Sequence, residues 1–160
     1  MSEVFDNWGM IASLAAAVWA VWSYLSTRKK ELAWKRTEFI IEQLEFLDSD
    51  VEMRECTLVL YGKHPEITVN QFLIAAKAQG LVTHEQGSLI MRFEKYLNFL
   101  WRIAYAHIVL GTLTEQDLTA FGAYFRAVKQ HEELRQYCID EGYDEIVTAS
   151  IAMERALITS

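Results

Sequence analysis

Ser88-Leu-Ile-Met-Arg-Phe-Glu-Lys-Tyr-Leu-Asn-Phe-Leu-Trp-Arg-Ile-Ala-Tyr-Ala-His-Ile-Val-Leu110 decides the fold class. Ile90, Phe93, Leu97, Leu100, Trp101, Ala104 and Ile108 recur on one side, and Phe99, Ile103, Ala106 and Leu110 on another. Spacing by three and four is the period of a helix and not of a strand. Arg92, Lys95, Asn98 and Arg102 leave only a narrow polar strip, so this helix is expected to be central and buried over most of its circumference. Glu94 interrupts the Phe93/Leu97 stripe. It is expected to pair with Arg92, Lys95, Arg102 or a base on a facing helix rather than act as a catalytic acid, because local spacing places no second carboxylate beside it.

Working outward, Gly111 stops this helix, and Thr114 with Asp117 reads as a variant capping box opening the next, which carries Leu118, Phe121, Phe125 and Val128. A last helix is expected over Tyr143 to Leu157. Upstream, Thr68 to Gly80 reads as a short helix. Before it, Asp48-Ser49-Asp50 is N-cap chemistry for a helix carrying Val51, Leu58, Val59 and Tyr61 and ending at Gly62, ahead of His64-Pro65. The first helix is expected to run through Leu47 with Ala33, Ile40, Ile41, Leu44 and Leu47 inward. One proline and 7 glycines in 160 residues are too few for the many turns of a β-sandwich. The fold class is therefore all-α, with no fixed-period repeat and no flexible linker.

Trp8 to Leu25 contains no charged side chain. As a helix it is about 27 Å long at 1.5 Å per residue, close to the roughly 30 Å hydrocarbon core of a bilayer. The leader carries Glu3 and Asp6 and no base, while Arg28, Lys29, Lys30, Lys35 and Arg36 follow. A cleaved signal would begin with bases, so the segment reads as a retained single-pass anchor. The positive-inside rule puts the N-terminus outside and the rest in the cytoplasm, here at a bacterial inner membrane. The expected division is residues 1–27, tail and transmembrane anchor, and residues 28–160, a compact cytoplasmic helical bundle. Small residues four apart, Gly9/Ser13/Ala17 and Ala12/Ala16/Ala20, form a strip through which another membrane helix can approach closely. Trp19 lies deep, where its N–H favours a protein or pigment neighbour over acyl chains.

The span holds no His, Asp, Glu, Lys or Arg, so it offers neither a haem ligand nor an ion path. With 15 basic against 22 acidic residues and a net charge of −7, nucleic acid is not an expected partner. Cys56 and Cys138 are far apart in sequence and are expected as buried free thiols. None of His64, His84, His107 and His131 lies in a Glu-x-x-His pattern, and His131-Glu132-Glu133 reads as a solvated polar turn. No nucleophile elbow or phosphate-cradling glycine loop occurs, and no cofactor is expected.

Four features together resemble an uncharacterised bacterial family of short membrane-anchored helical proteins. They are the Arg28-Lys29-Lys30 junction, Lys35-Arg36-Thr37-Glu38-Phe39-Ile40, Leu97-Asn98-Phe99 with Ile103-Ala104, and Gly111-Thr112-Leu113 leading to Phe121–Phe125. Members tend to carry an acid soon after the Leu-Asn-Phe run, where this chain has Trp101 and Arg102, with Glu94 one turn earlier. The resemblance implies location and fold and transfers no activity. The expected role is a non-enzymatic accessory or adaptor subunit, whose partners are the lipid bilayer and another membrane protein or a second copy. The competing readings are a membrane-tethered effector or sensor that self-assembles, and an enzyme whose site is built from residues distant in sequence.

Overall fold

A computed structural model describes residues 2–78 and 82–159, with side chains from Leu14 to Ile158 outside the same gap. Every regular element among them is helical: α1 (Ser2–Ser49), α2 (Val51–Leu60), α3 (Val69–Lys77), α4 (His84–Ile108), α5 (Glu115–Leu118), a 3₁₀ turn (Thr119–Phe121), α6 (Gly122–Lys129), α7 (Glu132–Asp140) and α8 (Asp144–Thr159). The chain divides into two compact units, Met1–Phe39 and Ile40–Ser160. That division follows packing, whereas the expected boundary at 27/28 follows the change from apolar to charged sequence.

The second unit is built around α4, as its periodicity predicts. Phe93, Leu97, Phe99, Leu100, Ile103 and Ala104 are buried. α4 begins at His84 rather than Ser88, because the Thr83 hydroxyl accepts from the Gln86 N–H and the Gln86 side chain accepts from the Thr83 N–H, satisfying two otherwise orphaned donors. Its far end differs from expectation. Ile108 and Leu110 are exposed and Trp101 is half-buried, because the helix stops at Ile108 and the chain reverses through Gly111 at φ 59°. Tyr96, absent from the expected stripe, is fully buried.

Its hydroxyl has no hydrogen-bond partner among the described residues. The Thr57 hydroxyl beside it donates instead to the Met53 carbonyl at 2.9 Å. Burial raises the phenol's pKa above its ordinary value. Tyr96→Phe removes a desolvated, unpaired group without opening a cavity, so stability is expected to stay level or rise by up to about 1 kcal/mol. A loss above about 1 kcal/mol in chemical denaturation would mean that the hydroxyl is bonded.

Several shorter elements shift the expected faces. Asp50 caps α2, its Oδ1 accepting from the Glu52 and Met53 N–H groups at 2.9 and 3.2 Å. This phasing buries Met53, Cys56, Val59 and Leu60 and leaves Val51 and Leu58 exposed. In α1 only Leu47 of the expected stripe is buried; Ile40 and Leu44 are half-buried, and Ala33 and Ile41 are exposed. Packing against the helical unit uses the face Ile40, Leu44 and Leu47, which Ile41 leaves by one 100° step. The single helix expected over Leu118 to Val128 is broken into α5, the 3₁₀ turn and α6, yet Leu118, Phe121, Phe125 and Val128 are all buried. α7 carries Cys138 in a helical stretch, as expected, and begins at Glu132, inside the segment read as a polar turn. α3 ends at Lys77, and the expected stop at Gly80 lies outside the described residues.

Asp50 also receives the Lys95 ammonium at 2.7 Å, and Lys95 reaches Glu52 at 2.6 Å. The Lys95 hydrogen bond holds the Asp50 carboxyl below its ordinary value of 3.8, against an opposing effect of burial. A carboxyl lowered in the folded state contributes stability above its unfolded pKa, and that contribution is lost as pH falls through the folded one. Asp50→Ala is expected to cost about 0.5 to 2 kcal/mol at pH 7. Asp50→Asn keeps a capping oxygen and should cost less. The deficit of each variant relative to wild type, followed by urea melts, should shrink as pH falls below about 4.

Candidate functional site

Two kinds of surface bear on function: the apolar side chains of α1 and the polar clusters of the helical unit. From Leu14 to Leu25, α1 carries no charge, and Leu14, Val18, Trp19, Val21, Trp22, Tyr24 and Leu25 are all more than half exposed. At 100° per residue these large side chains cover all but about 140° of the helix, and the exposed Ala16 and Ala20 fill that remaining arc. A helix apolar all round is the pattern of a buried or lipid-embedded element, not of an ordinary amphipathic surface helix.

The expected contact strip falls into two parts. Ala16, Ala17, Trp19 and Ala20 are exposed. The side chains of Gly9, Ala12 and Ser13 lie outside the described residues, as does the start of the expected span at Trp8. Among the described residues, no helix is long and apolar enough to cross a membrane.

Beyond Leu25 the basic residues follow on the same helix. Arg28, Lys29, Lys30 and Lys35 are exposed, and Arg36 is half-buried. Lys35 lies 3.4 Å from Glu31. Sequence reading missed two neighbours, Leu32 and Trp34, which are 53% and 67% exposed within this charged stretch. The available signal was the placing of large apolar residues among charges.

In the helical unit the histidines act as backbone latches. His64 Nδ1 accepts the N–H groups of Glu66 and Ile67 at 3.2 and 2.9 Å, so its proton resides on Nε2. His131 Nε2 lies 2.6 Å from the Leu60 carbonyl and His107 Nδ1 lies 2.9 Å from the Leu113 carbonyl; a carbonyl only accepts, so these nitrogens donate. His131 thus joins the start of α7 to the end of α2, which corrects the reading of His131-Glu132-Glu133 as a wholly solvated turn. Among the described residues no group of three His, Cys, Asp or Glu is placed to hold a metal. Cys56 and Cys138 are free and buried, and burial pushes both thiols up to about 12, away from thiolate chemistry.

Glu94 is half-buried and makes no ion pair among the described residues, contrary to expectation. The bases beside it are turned elsewhere: Arg92 to Glu55 at 2.8 Å, and Lys95 to Asp50 and Glu52. The Glu94 charge acts instead on two phenols. Tyr137 is pushed up to about 12 by burial, with Glu141 and then Glu94 adding to it, and Tyr143 is raised by burial and by Glu94. Trp101 donates its indole N–H to Glu145 at 3.0 Å. This bond ties α4 to α8.

The larger open groove, about 670 Å³, lies between α3 and the start of α4 and is walled by Ile67, Ile74 and Leu89 with Glu66, Glu85 and His84. A smaller one of about 270 Å³ is lined by His64, His131 and Asn70. Neither brings a nucleophile into hydrogen-bond contact with a base. No family model, curated protein or solved structure matches this chain.

Proposed function

We propose that this protein is a single-pass, membrane-anchored accessory subunit that acts by association, with its helical domain in the cytoplasm and its N-terminus on the outer side of a bacterial inner membrane. The observation that carries the reading is the charge-free, mostly apolar and largely exposed surface of α1 from Leu14 to Leu25, followed closely by Arg28-Lys29-Lys30. In water such a surface is an aggregation liability; in a bilayer or against another membrane helix it is satisfied. The apolar sequence continues upstream to Trp8, which extends the run to the length of one crossing. A span without titratable groups anchors and recognises but does not transport, and Ala16, Ala17 and Ala20 allow close backbone approach by a partner helix or a second copy.

Topology is tested by single added cysteines. Cys56 and Cys138 are buried, so they contribute little background in the folded chain. A cysteine at Ser2 should react with a membrane-impermeant maleimide in intact cells, and one at Ser160 should not; the reverse pattern overturns the topology. For association, Ser13→Leu with Ala16→Leu keeps the span apolar while blocking close approach. Normal insertion with reduced recovery of the complex after mild detergent extraction is the expected result. Undiminished recovery would remove the small-residue strip from the mechanism.

A further inference from the structure

We propose that Arg28, Lys29 and Lys30 form a binding site for anionic phospholipid headgroups, a reading that rests on the membrane anchor proposed above. Successive residues of a helix point 100° apart, so these three cations face three different directions within about 3 Å of axial height. A helix lying flat on a membrane gathers its bases on one polar face. A collar of bases suits a helix that rises through the headgroup layer and meets phosphates on several sides.

The position of the collar agrees with that geometry. Arg28 follows the last residue of the apolar run, Leu25, by three residues, or about 4.5 Å along the axis. The headgroup layer on one side of a bilayer is roughly 5 to 7 Å deep. The exposed rings of Trp22 and Tyr24 lie just below the collar, where amphipathic aromatics settle at an interface.

The charges are also uncompensated from within the chain. Glu31 is the only carboxylate between Asp6 and Glu38, and its carboxylate is directed to Lys35 at 3.4 Å. Arg28, Lys29 and Lys30 are exposed and form no ion pair among the described residues. The rest of the protein does not duplicate this attraction. Residues 40–160 carry 10 basic against 18 acidic residues, a net of −8, so an anionic surface repels the helical domain on average. A preference for anionic lipid therefore belongs to the collar. Clusters of bases at the cytoplasmic end of a span are worth roughly a fivefold gain in partition per charge near such a surface, so three give on the order of 100-fold.

The test uses the full chain purified in neutral detergent, where membrane orientation does not enter, titrated with phosphatidylglycerol or phosphatidylcholine in mixed micelles. Lipid retained per chain is read by native mass spectrometry. The wild type should retain phosphatidylglycerol at least tenfold better than phosphatidylcholine. Arg28→Gln with Lys29→Gln and Lys30→Gln should lose that preference, and Arg28→Lys with Lys29→Arg and Lys30→Arg should keep it. Equal retention of the two lipids, or an undiminished preference in the neutral triple variant, overturns the proposal. So does displacement of the lipid by inorganic phosphate beyond that caused by sodium chloride at the same ionic strength, which would reveal a site for free anions. Alkaline carbonate extraction of wild-type cell membranes separates the two levels. Release of the chain into the soluble fraction removes the anchor and the lipid site together, whereas retention with no lipid preference removes the lipid site alone.

Discussion

Phe93→Ala should lower the stability of the helical domain by about 3 to 5 kcal/mol, the largest loss expected from any single truncation of this core. Phe93 is 1% exposed, and its ring stacks on Phe72 with centroids 4.3 Å apart and planes 11° from parallel. Phe72 in turn meets Tyr137 edge-on at 5.2 Å. Three helices, α3, α4 and α7, therefore share one aromatic cluster. Truncation removes the transfer energy of a large ring, leaves a cavity that close-packed neighbours fill only partly, and forfeits an aromatic contact worth about 0.5 to 1.5 kcal/mol. Since whole domains are stable by only about 5 to 15 kcal/mol, the variant should be markedly sensitive to denaturant. Phe72→Ala should act similarly, and the double variant should cost less than the sum because the same contact is lost in both singles. Urea midpoints measure this directly; a loss below about 1 kcal/mol for Phe93→Ala would place the core elsewhere.

Val18→Asp should have the opposite profile, sparing the fold while impairing the membrane association proposed for α1. Val18 is 66% exposed in the charge-free run, so the helical domain should change by no more than about 0.5 kcal/mol. At the centre of a lipid-embedded helix, an aspartate raises the insertion free energy by about 2.5 to 3.5 kcal/mol. The expected result is an unchanged thermal midpoint of the extracted domain together with a large fall in the carbonate-resistant membrane fraction, with Val18→Leu as the neutral control. Unchanged membrane partition of Val18→Asp would show that this stretch meets water or a polar protein surface. Phe93 and Val18 thus separate the roles of the two units, one carried by packing within the chain and the other by what lies outside it.

The legible parts of the structure are those encoded by short-range periodicity. α4 could be read because 25 residues repeat their apolar positions over seven turns, and Phe93, Leu97, Leu100 and Ala104 fall inward as that period requires. Asp50 before α2 and Thr114 before α5 were legible because a cap acts on N–H groups two or three residues away. The buried state of Cys56 and Cys138 followed from the tendency of an unpaired cysteine to act as a small core residue. The two short helices were harder. α2 buries Cys56 and Leu60 rather than Val51 and Leu58, and in ten residues a 100° shift of phase changes most of the apolar set.

For the candidate surface, composition along the chain was sufficient to locate the charge-free run and the bases that follow it, since neither property needs a partner. The sequence by itself determined the helical class, the place of the central helix, several caps and the contrast between an apolar leader and an acidic remainder. Those are set by interactions within one or two helical turns. Only the tertiary structure decided which base meets which acid, because those pairs join residues 37 to 45 positions apart: Arg92 with Glu55, and Lys95 with Asp50 and Glu52. That choice left Glu94 without an ion pair among the described residues, its charge acting on Tyr137 and Tyr143. It also set His131 against the Leu60 carbonyl, 71 residues away. Contacts at such separations depend on how whole helices pack, which no local period records.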